Sequence, residues 1–254
     1  MKNYLIDLDG TIYRGTRAVE HAKEFITYLK KNNRKFLFAT NCPLNSLEKL
    51  ADKLRGMDIM CEPSDFINCS MATADYLNEY YKGKKVYAIA SPALRQLLID
   101  YGITLCEDNA DVVVVGYDTE VPYEKLKKAC VEILAGAQFI ATNLDNTIPF
   151  LDTFIPHTGA NVAFIECATG KKATVIGKPE RYMIDTACKI LDCEKDTLCI
   201  IGDRLDTDIS FGAQNGIDSY LVLTGTTKEY TPDMQPAPTK VFKNLKEIIE
   251  FECN

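Results

Sequence analysis

Two aspartates, Asp7 and Asp9, stand two positions apart at the end of an apolar segment in the stretch NYLIDLDGTIYRGT. Carboxylates this close repel each other, so a cation, a hydrogen-bond donor or a proton must compensate for their charge. Such a pair can hold a metal ion, and one carboxylate can act as a nucleophile while the other transfers protons. Asp-x-Asp-Gly alone is more typical of a turn, so the interpretation depends on partners elsewhere in the chain.

Polar residues also stand at the ends of three other apolar segments. Thr40 ends FLFAT and Asn41 follows it, Lys178 follows ATVIG, and Asp203 and Asp208 follow LCIIG. If the segments are parallel strands, their carboxyl ends meet at one edge of a sheet, where ligands bind in folds of this kind. Each piece by itself could be a turn or a helix cap, but four of them in order predict one site.

These side chains predict the chemistry of that site. Several carboxylates at one point need a cation, and an oxygen-only set of ligands suits Mg²⁺. Lys178 and the hydroxyl of Thr40 can donate hydrogen bonds to an anion with several oxygens, such as phosphate. A Ser–His mechanism is not expected, since the chain contains only His21 and His157, and His157 is expected on a surface loop.

Strand-like and helix-like segments alternate along the whole chain, which favours an α/β fold with a parallel sheet flanked by helices. The pattern restarts near Lys84, so two domains are expected. Finer predictions are a capping box of Asn45 and Glu48, a helix from Ser64 to about Tyr81, and a long loop that contains Pro149 and Pro156.

The composition excludes several classes of protein. The net charge of -7 argues against binding to nucleic acid, and no apolar run approaches the roughly 20 residues that span a membrane. A signal peptide has an uninterrupted apolar region, whereas Asp7 and Asp9 interrupt the first apolar segment of this chain. A cytoplasmic protein is therefore expected. The ten cysteines match no zinc-binding spacing and are expected to be reduced thiols.

The motifs resemble those of the haloacid dehalogenase (HAD) superfamily of aspartate-nucleophile hydrolases. Asp7-Leu8-Asp9-Gly10-Thr11 is similar to the first motif, Thr40 to the second, Lys178 to the third, and Gly202-Asp203 with Asp208 to the fourth. The stretches DVVVVGYD, FIATNLDNTIP and GDRLDTDI resemble the NagD-like, or p-nitrophenylphosphatase-like, branch of subfamily IIA.

The resemblance implies a Rossmann-like core with an inserted α/β cap domain that selects the substrate. The core would consist of residues 1–81 and 177–254, and the cap of residues 82–176. Because Asp9 supplies the acid that phosphatases need and dehalogenases do not, the implied reaction is hydrolysis of a phosphate ester.

The resemblance also implies roles for the residues of the core. Asp7 would be the nucleophile that forms an aspartyl-phosphate, and Asp9 the general acid and base. Mg²⁺ would be held by the Asp7 carboxylate, the backbone carbonyl of Asp9 and Asp203. Asp208 would support the metal site or help to hold Lys178.

Five residues are implied to bind the substrate. Thr40 and Asn41 would hydrogen-bond the phosphoryl oxygens together with Lys178. Tyr117 and Ile148 are candidate contacts from the cap, although Tyr117 could equally pack between domains and Ile148 could anchor a loop. The chain has Asn143-Leu144-Asp145 where the branch often has Asn-Pro-Asp, so the substrate itself is not implied.

The leading hypothesis is therefore a Mg²⁺-dependent phosphatase that acts on a small phosphorylated metabolite, such as a sugar phosphate or a nucleoside monophosphate. A phosphomutase or phosphotransferase that uses the same aspartyl-phosphate is the alternative. A non-enzymatic module that binds phosphorylated ligands is a third hypothesis. A homodimer is compatible with a cap of this kind.

Overall fold

The computed structural model describes residues 2–41, 46–150 and 153–253 of the chain. Asn45, which the sequence predicts to take part in a capping box, lies outside these ranges. Within them, Ser46 occupies the N-cap position, and its hydroxyl accepts a hydrogen bond from Lys49 N at 3.4 Å.

The described residues form fifteen strands, numbered in chain order. They are β1 (Asn3–Ile6), β2 (Tyr13–Arg14), β3 (Arg17–Ala18), β4 (Phe36–Thr40), β5 (Phe66–Asn68), β6 (Lys85–Ile89), β7 (Thr104–Leu105), β8 (Val112–Val115), β9 (Gln138–Ala141), β10 (Thr147–Phe150), β11 (Thr153–Pro156), β12 (Thr174–Val175), β13 (Leu198–Gly202), β14 (Asp218–Val222) and β15 (Lys240–Phe242).

Nine α-helices lie between these strands in the described part of the chain. They are α1 (Ala22–Lys31), α2 (Leu47–Arg55), α3 (Cys69–Tyr80), α4 (Pro92–Asp100), α5 (Tyr123–Leu134), α6 (Thr158–Thr169), α7 (Tyr182–Leu191), α8 (Ser210–Asn215) and α9 (Leu245–Glu252). Short 3₁₀ turns occur at Pro63–Asp65 and Lys195–Thr197, and Leu205–Ile209 is a π-helical turn. None of the described helices is long and apolar enough to span a membrane.

The chain divides into two compact units. The first contains the described residues within Met1–Thr40, Ser46–Ile67 and Lys178–Asn254, and the second those within Asn41–Asn45 and Asn68–Gly177. The second unit therefore includes α3, whereas residues 68–81 are predicted to belong to the core. The interpretation of the second unit as a cap stays a prediction.

A six-stranded sheet forms the centre of the first unit, in the order β15-β14-β13-β1-β4-β5. β1 pairs in parallel with β13 and β4, and β14 pairs in parallel with β13 and β15. The register places Ile6 opposite both Ile201 and Phe38. Because these strands run in the same direction, Asp7, Thr40 and Asp203 lie at the same edge of the sheet.

Apolar side chains from this sheet and its helices make the core of the first unit. Tyr4, Phe25 and Phe38 are fully buried, and the rings of Tyr4 and Phe25 make an edge contact with centroids 6.4 Å apart. α2 buries Leu50, Ala51 and Leu54 on one face and leaves charged residues on the other. The strands that carry the polar edge are therefore held by a well-packed apolar layer.

The second unit has its own parallel sheet, in the order β12-β9-β8-β6-β7. β8 is the buried run Val112–Val115 and pairs in parallel with β6 and β9. α5 and α6 contribute Ala129, Ile133, Val162 and Ile165 to the core against this sheet. The predicted α/β class with parallel sheets is confirmed in both units.

Three segments differ from the finer predictions. The region predicted as a helix from Ser64 contains a 3₁₀ turn and β5 before α3 begins, with Asn68 as its N-cap. β5 contains only three residues, Phe66–Asn68, and is too short to show a strand period against the following helical pattern. The predicted long loop is instead an antiparallel hairpin of β10 and β11, which pairs Ile148 with Ile155.

Candidate active site

The first carboxylate of the site follows β1. The backbone N–H of Asp7 donates to Ile201 O at 2.9 Å, which extends the β1–β13 ladder to the first aspartate. Gly10 has a φ of +89°, and a Cβ atom there would overlap the carboxylate of Asp203. The glycine of the Asp-x-Asp-Gly motif is therefore required both by its backbone conformation and by the close approach of Asp203.

Lys178 lies at the centre of the site and is buried. Its Nζ donates to Asp7 Oδ1 at 2.6 Å, to Asp208 Oδ1 at 2.7 Å and to Ala39 O at 3.1 Å. One ammonium thus joins the ends of β1 and β4 to the turn after β13. Thr40, which ends β4 beside Ala39, is also buried.

Asp203 and Asp208 come from the end of β13 and the π-helical turn after it, and both are buried. Asp208 Oδ2 accepts from Arg204 N at 3.3 Å, and a Cβ atom on Gly202 would overlap the Asp208 side chain. Asp203 accepts hydrogen bonds from Thr226 N and, at 3.5 Å, from Thr11 Oγ1. Backbone and side-chain donors therefore fix both carboxylates.

One carboxylate oxygen from each of Asp7, Asp203 and Asp208 lies within 4.8 Å of the other two. Such a set of hard oxygen donors suits a divalent cation such as Mg²⁺. Asp208 belongs to the cluster by distance, but one of its oxygens is engaged by Lys178. The carboxylates of Asp7 and Asp203 thus fit the predicted metal in charge and chemistry.

The electrostatics of the cluster reflect an excess of negative charge. Burial raises the pKa of Asp7 well above its usual range, Asp208 and Asp203 raise it further, and Lys178 opposes them. Burial and the charge of Asp208 raise the pKa of Asp203 to about 6. Burial would lower the pKa of Lys178, but Asp208 and Asp7 together raise it above its usual value. One lysine does not neutralise three carboxylates, so a bound cation would stabilise their ionised forms.

Asp9 differs from Asp7, Asp203 and Asp208 because it is exposed. The surrounding protein partly desolvates the carboxyl group of Asp9, which raises its pKa. The charge of Lys53 and a hydrogen bond from Tyr13 lower the pKa in part. A carboxyl group that is both accessible and less acidic than usual is suited to proton transfer at the surface of a site.

Two family models match this chain. A haloacid dehalogenase-like hydrolase family matches residues 4–104, and a HAD-hydrolase-like family matches residues 175–248. An acid sugar phosphatase of Staphylococcus saprophyticus is 39% identical over 98% of this chain and 97% of its own length. The 5'-nucleotidase YutF of Bacillus subtilis is 38% identical over 98% of both chains.

Solved structures match over the same extent. A thermostable NPPase variant from Geobacillus stearothermophilus has a TM-score of 0.90 at 39% identity, over 96% of both chains. The 4-nitrophenylphosphatase from Thermotoga maritima has a TM-score of 0.91 at 32% identity, over 98% of this chain and 97% of its own. The chain belongs to the haloacid dehalogenase superfamily. Within it, the chain is a member of the NagD-like phosphatase branch.

The predicted family, its Rossmann-like core with an inserted α/β unit, and the phosphatase class are thereby confirmed. The structure brings four of the predicted residues of this HAD core together, namely Asp7, Lys178, Asp203 and Asp208. Asp9 lies two residues after Asp7, and Thr40 follows Ala39, whose carbonyl oxygen accepts a hydrogen bond from Lys178 Nζ. The roles of these residues stay predictions.

Asn41 belongs to the second unit. Its backbone oxygen accepts from Asn143 Nδ2 at 2.9 Å and from Cys69 Sγ at 3.1 Å. Asn143, at the position where this branch of the HAD superfamily often has Asn-Pro-Asp, is buried and also accepts from Asp145 N at 3.0 Å. Asn143 therefore organises the backbone around residues 41 and 145, and the predicted phosphoryl contact of Asn41 stays a prediction.

Tyr117 and Ile148 also lie in the second unit. Tyr117 is buried and stacks on His157, with ring centroids 4.5 Å apart and an angle of 22° between the planes. Ile148 is half-buried in the β10–β11 hairpin. The expectation that His157 lies on a surface loop is wrong, because its ring is buried against Tyr117 and burial lowers its pKa.

Sequence reasoning missed the residues that surround the predicted ones. Tyr13 and Lys53 act on Asp9, while Thr11 and Thr226 donate to Asp203. Thr11 ends the first motif and Tyr13 lies two residues further on, so both could have been found by their position. Lys53 reads as an ordinary residue of an amphipathic helix, and no local signal distinguishes it.

Proposed function

We propose that this chain is a Mg²⁺-dependent phosphatase that hydrolyses a small phosphorylated metabolite through an aspartyl-phosphate on Asp7. The observation that carries the proposal is the arrangement of Lys178 between Asp7 and Asp208 within a cluster of three carboxylates. The Lys178 ammonium, held firmly beside the partly accessible carboxylate of Asp7, suits the binding and transfer of a phosphoryl group.

Mg²⁺ would be held by the carboxylates of Asp7 and Asp203 and by the backbone carbonyl of Asp9. When bound, the ion supplies positive charge that stabilises the phosphoryl oxygens and keeps Asp7 ionised. A count of charges supports this need: Asp7, Asp203 and Asp208 contribute three negative charges, and a phosphate dianion adds about two. Lys178 and the ion together offset three of those five.

The residues of the chain divide the chemistry in this proposal. Asp7 attacks phosphorus, and Asp9 gives a proton to the leaving oxygen and later takes one from the attacking water. Lys178 holds Asp7 in place and neutralises charge on the phosphoryl oxygens, while Thr40 and Asn41 donate hydrogen bonds to those oxygens. Asp208 holds Lys178 in place through their ion pair.

The relatives support small phosphate esters as substrates, since they are named acid sugar phosphatase, 5'-nucleotidase and 4-nitrophenylphosphatase. We propose a sugar phosphate or a nucleoside monophosphate as the substrate class, and the second unit as the cap that selects it. Tyr117 and Ile148 are proposed cap contacts.

The experiment that tests the proposal is phosphate release from a panel of sugar phosphates, nucleoside monophosphates and 4-nitrophenyl phosphate, with Mg²⁺ and with EDTA. We expect release with Mg²⁺, none with EDTA, and none from Asp7→Asn, whose fold is checked by circular dichroism. Near-normal release by Asp7→Asn would refute Asp7 as the nucleophile.

The phosphomutase or phosphotransferase alternative predicts a different product. Such an enzyme passes the phosphoryl group to a second hydroxyl compound, so a phosphorylated acceptor accumulates in place of inorganic phosphate. A non-enzymatic binding module would bind the esters without turnover. Quantifying inorganic phosphate against total consumed ester distinguishes the three.

A homodimer and a cytoplasmic location are proposed from the sequence analysis. The exposed face of α6 supports the former, since Ala160, Ala163, Phe164 and Cys167 present an apolar surface. Sedimentation of wild type and of Phe164→Glu tests it, and we expect the variant to be monomeric. A monomeric wild type would refute the dimer.

A further inference from the structure

The loop after β1 returns Tyr13 to a position beside Asp9. Asp9 and Tyr13 form an isolated β-bridge, and Gly10 N donates to Tyr13 O at 2.7 Å. Leu8 O accepts from the backbone N–H groups of Ile12 at 2.8 Å and Tyr13 at 3.1 Å. Tyr13 is buried, and its phenol hydrogen-bonds the Asp9 carboxylate. The backbone hydrogen bonds of this turn thus hold the Tyr13 hydroxyl at a fixed place beside the Asp9 carboxylate.

Lys53 adds a cation to this pair. Its Nζ lies 3.4 Å from the centroid of the Tyr13 ring, and its charge also acts on the Asp9 carboxylate. An ammonium on the face of a phenol is attracted by the ring and strengthens the hydroxyl as a donor. Lys53 projects from α2, whose buried Leu50, Ala51 and Leu54 fix the helix against the core.

We propose that Tyr13 and Lys53 are positioning residues for Asp9, fixing its carboxyl group so that Tyr13 holds one oxygen and the other is left for the substrate's leaving group. This inference rests on the proposed function. It follows from the exposure of Asp9, because an exposed carboxyl group with no fixed partner would sample several rotamers.

The positioned carboxyl group serves both half-reactions. In the first, a bond forms between Asp7 and phosphorus, the bond from phosphorus to the ester oxygen breaks, and the proton of Asp9 passes to that oxygen. In the second, water forms the new bond to phosphorus and gives one proton to Asp9, while the bond between Asp7 and phosphorus breaks. Each turnover returns Asp7 to its ionised form and Asp9 to its protonated form.

The two residues should therefore matter most when the leaving group needs a proton. A sugar leaves as a strongly basic alkoxide unless it is protonated, whereas 4-nitrophenolate leaves readily as an anion. General acid catalysis contributes about 10²–10⁴-fold when it is needed. Misplacing Asp9 should consequently slow the hydrolysis of a sugar phosphate much more than that of 4-nitrophenyl phosphate.

The test compares kcat and KM for ribose 5-phosphate and 4-nitrophenyl phosphate in wild type, Tyr13→Phe and Lys53→Met, all with Mg²⁺. We expect kcat for the sugar phosphate to fall about tenfold or more and kcat for 4-nitrophenyl phosphate to fall less than about threefold. KM should change little for either ester. Lys53→Arg, which keeps a cation on the ring, should retain most of the wild-type ratio.

Lys49→Met is the matched control, because Lys49 is an exposed lysine one turn earlier on α2 and its loss changes the net charge equally. It should leave both rates unchanged. Equal losses on the two esters in Tyr13→Phe and Lys53→Met, or no loss on either, would overturn this inference alone. If wild type released phosphate from neither ester, the proposed function would fail and the inference with it.

Discussion

Lys178 and Asp208 form a buried ion pair in which Nζ lies 2.7 Å from Oδ1, and the same Nζ lies 2.6 Å from Asp7 Oδ1. Lys178 follows the inserted second unit in the chain, whereas Asp7 follows the first strand and Asp208 the thirteenth. Lys178 therefore both holds the ends of these segments together and offsets the negative charge of the site.

Replacement of Lys178 by Met should abolish activity and lower stability. The change leaves Asp7 and Asp208 without their common cation, and breaking a buried pair on one side typically costs about 3–5 kcal/mol. Loss of one charge-stabilising group typically lowers the rate about 10²–10³-fold. Urea unfolding and phosphate release measure both effects. Lys31→Met, at an exposed position of α1, is the control and should change neither.

The stability of the metal-free protein should rise as the pH falls towards 5, and Asp203→Asn should remove part of that rise. The pKa of Asp203 is raised to about 6 in the folded protein, so its ionised form is disfavoured by folding. The cost is fully present above pH 6, decreases as the pH falls through 6, and vanishes below the usual carboxyl pKa of about 4.

Urea unfolding in EDTA across pH 4.5 to 7.5 measures this effect. At pH 7.5 we expect Asp203→Asn to be more stable than wild type by on the order of 2 kcal/mol, and the difference to decrease towards pH 4.5. Mg²⁺ should stabilise wild type more than the variant. A variant that is less stable than wild type at pH 7.5 would contradict the assigned charge excess.

Glu132→Gln should destabilise the second unit at neutral pH. The buried Glu132 carboxylate accepts from Ala110 N at 3.0 Å and Asn109 N at 3.2 Å and pairs with Lys128 at 2.9 Å. Hydrogen bonds to a charged group contribute about 1.5–3 kcal/mol each, and the amide can retain only part of them. We expect a loss of about 1–2 kcal/mol in the free energy of unfolding.

The pH dependence provides the internal check. The ion pair with Lys128 and the two backbone donors lower the pKa of Glu132, so its contribution is present above the usual glutamate pKa and is lost as the pH falls through the lower folded value. Wild type and Glu132→Gln should therefore converge in acid. Glu124→Gln, on the exposed side of the same helix, should differ from wild type by less than about 0.5 kcal/mol at any pH. A similar loss in both variants would be inconsistent with this explanation.

Gly10→Ala should inactivate the enzyme mainly because the new methyl group would collide with the Asp203 carboxylate, and not through backbone strain alone. A Cβ atom at Gly10 would overlap the Asp203 carboxylate and push it away from Asp7. A displacement of about 1 Å at a reacting centre can lower the rate about 10²-fold. Gly15→Ala isolates the strain, since Gly15 has a φ of +58° and a Cβ atom added there would meet no atom within 4 Å. Phosphate release should survive in Gly15→Ala, and its equal loss in both variants would assign the effect to strain.

Much of the fold could be predicted from the sequence because its signals are local. FLFAT and LCIIG are strands with the predicted bounds, since a short apolar run between turn residues has few other uses. β5 and the β10–β11 hairpin were missed. Their residues pair with partners distant in the sheet or across a turn, and a single short segment contains no record of that pairing.

The amino-acid sequence by itself determined that this protein is an α/β hydrolase of the HAD superfamily with polar residues at the strand ends. Parallel strands oblige those residues to meet at one edge. Only the tertiary structure decided that Lys178 reaches both Asp7 and Asp208, and that Lys53 and Tyr13 flank Asp9. These short contacts depend on how helices and loops pack around the sheet, so they cannot be predicted from the spacing of residues along the chain.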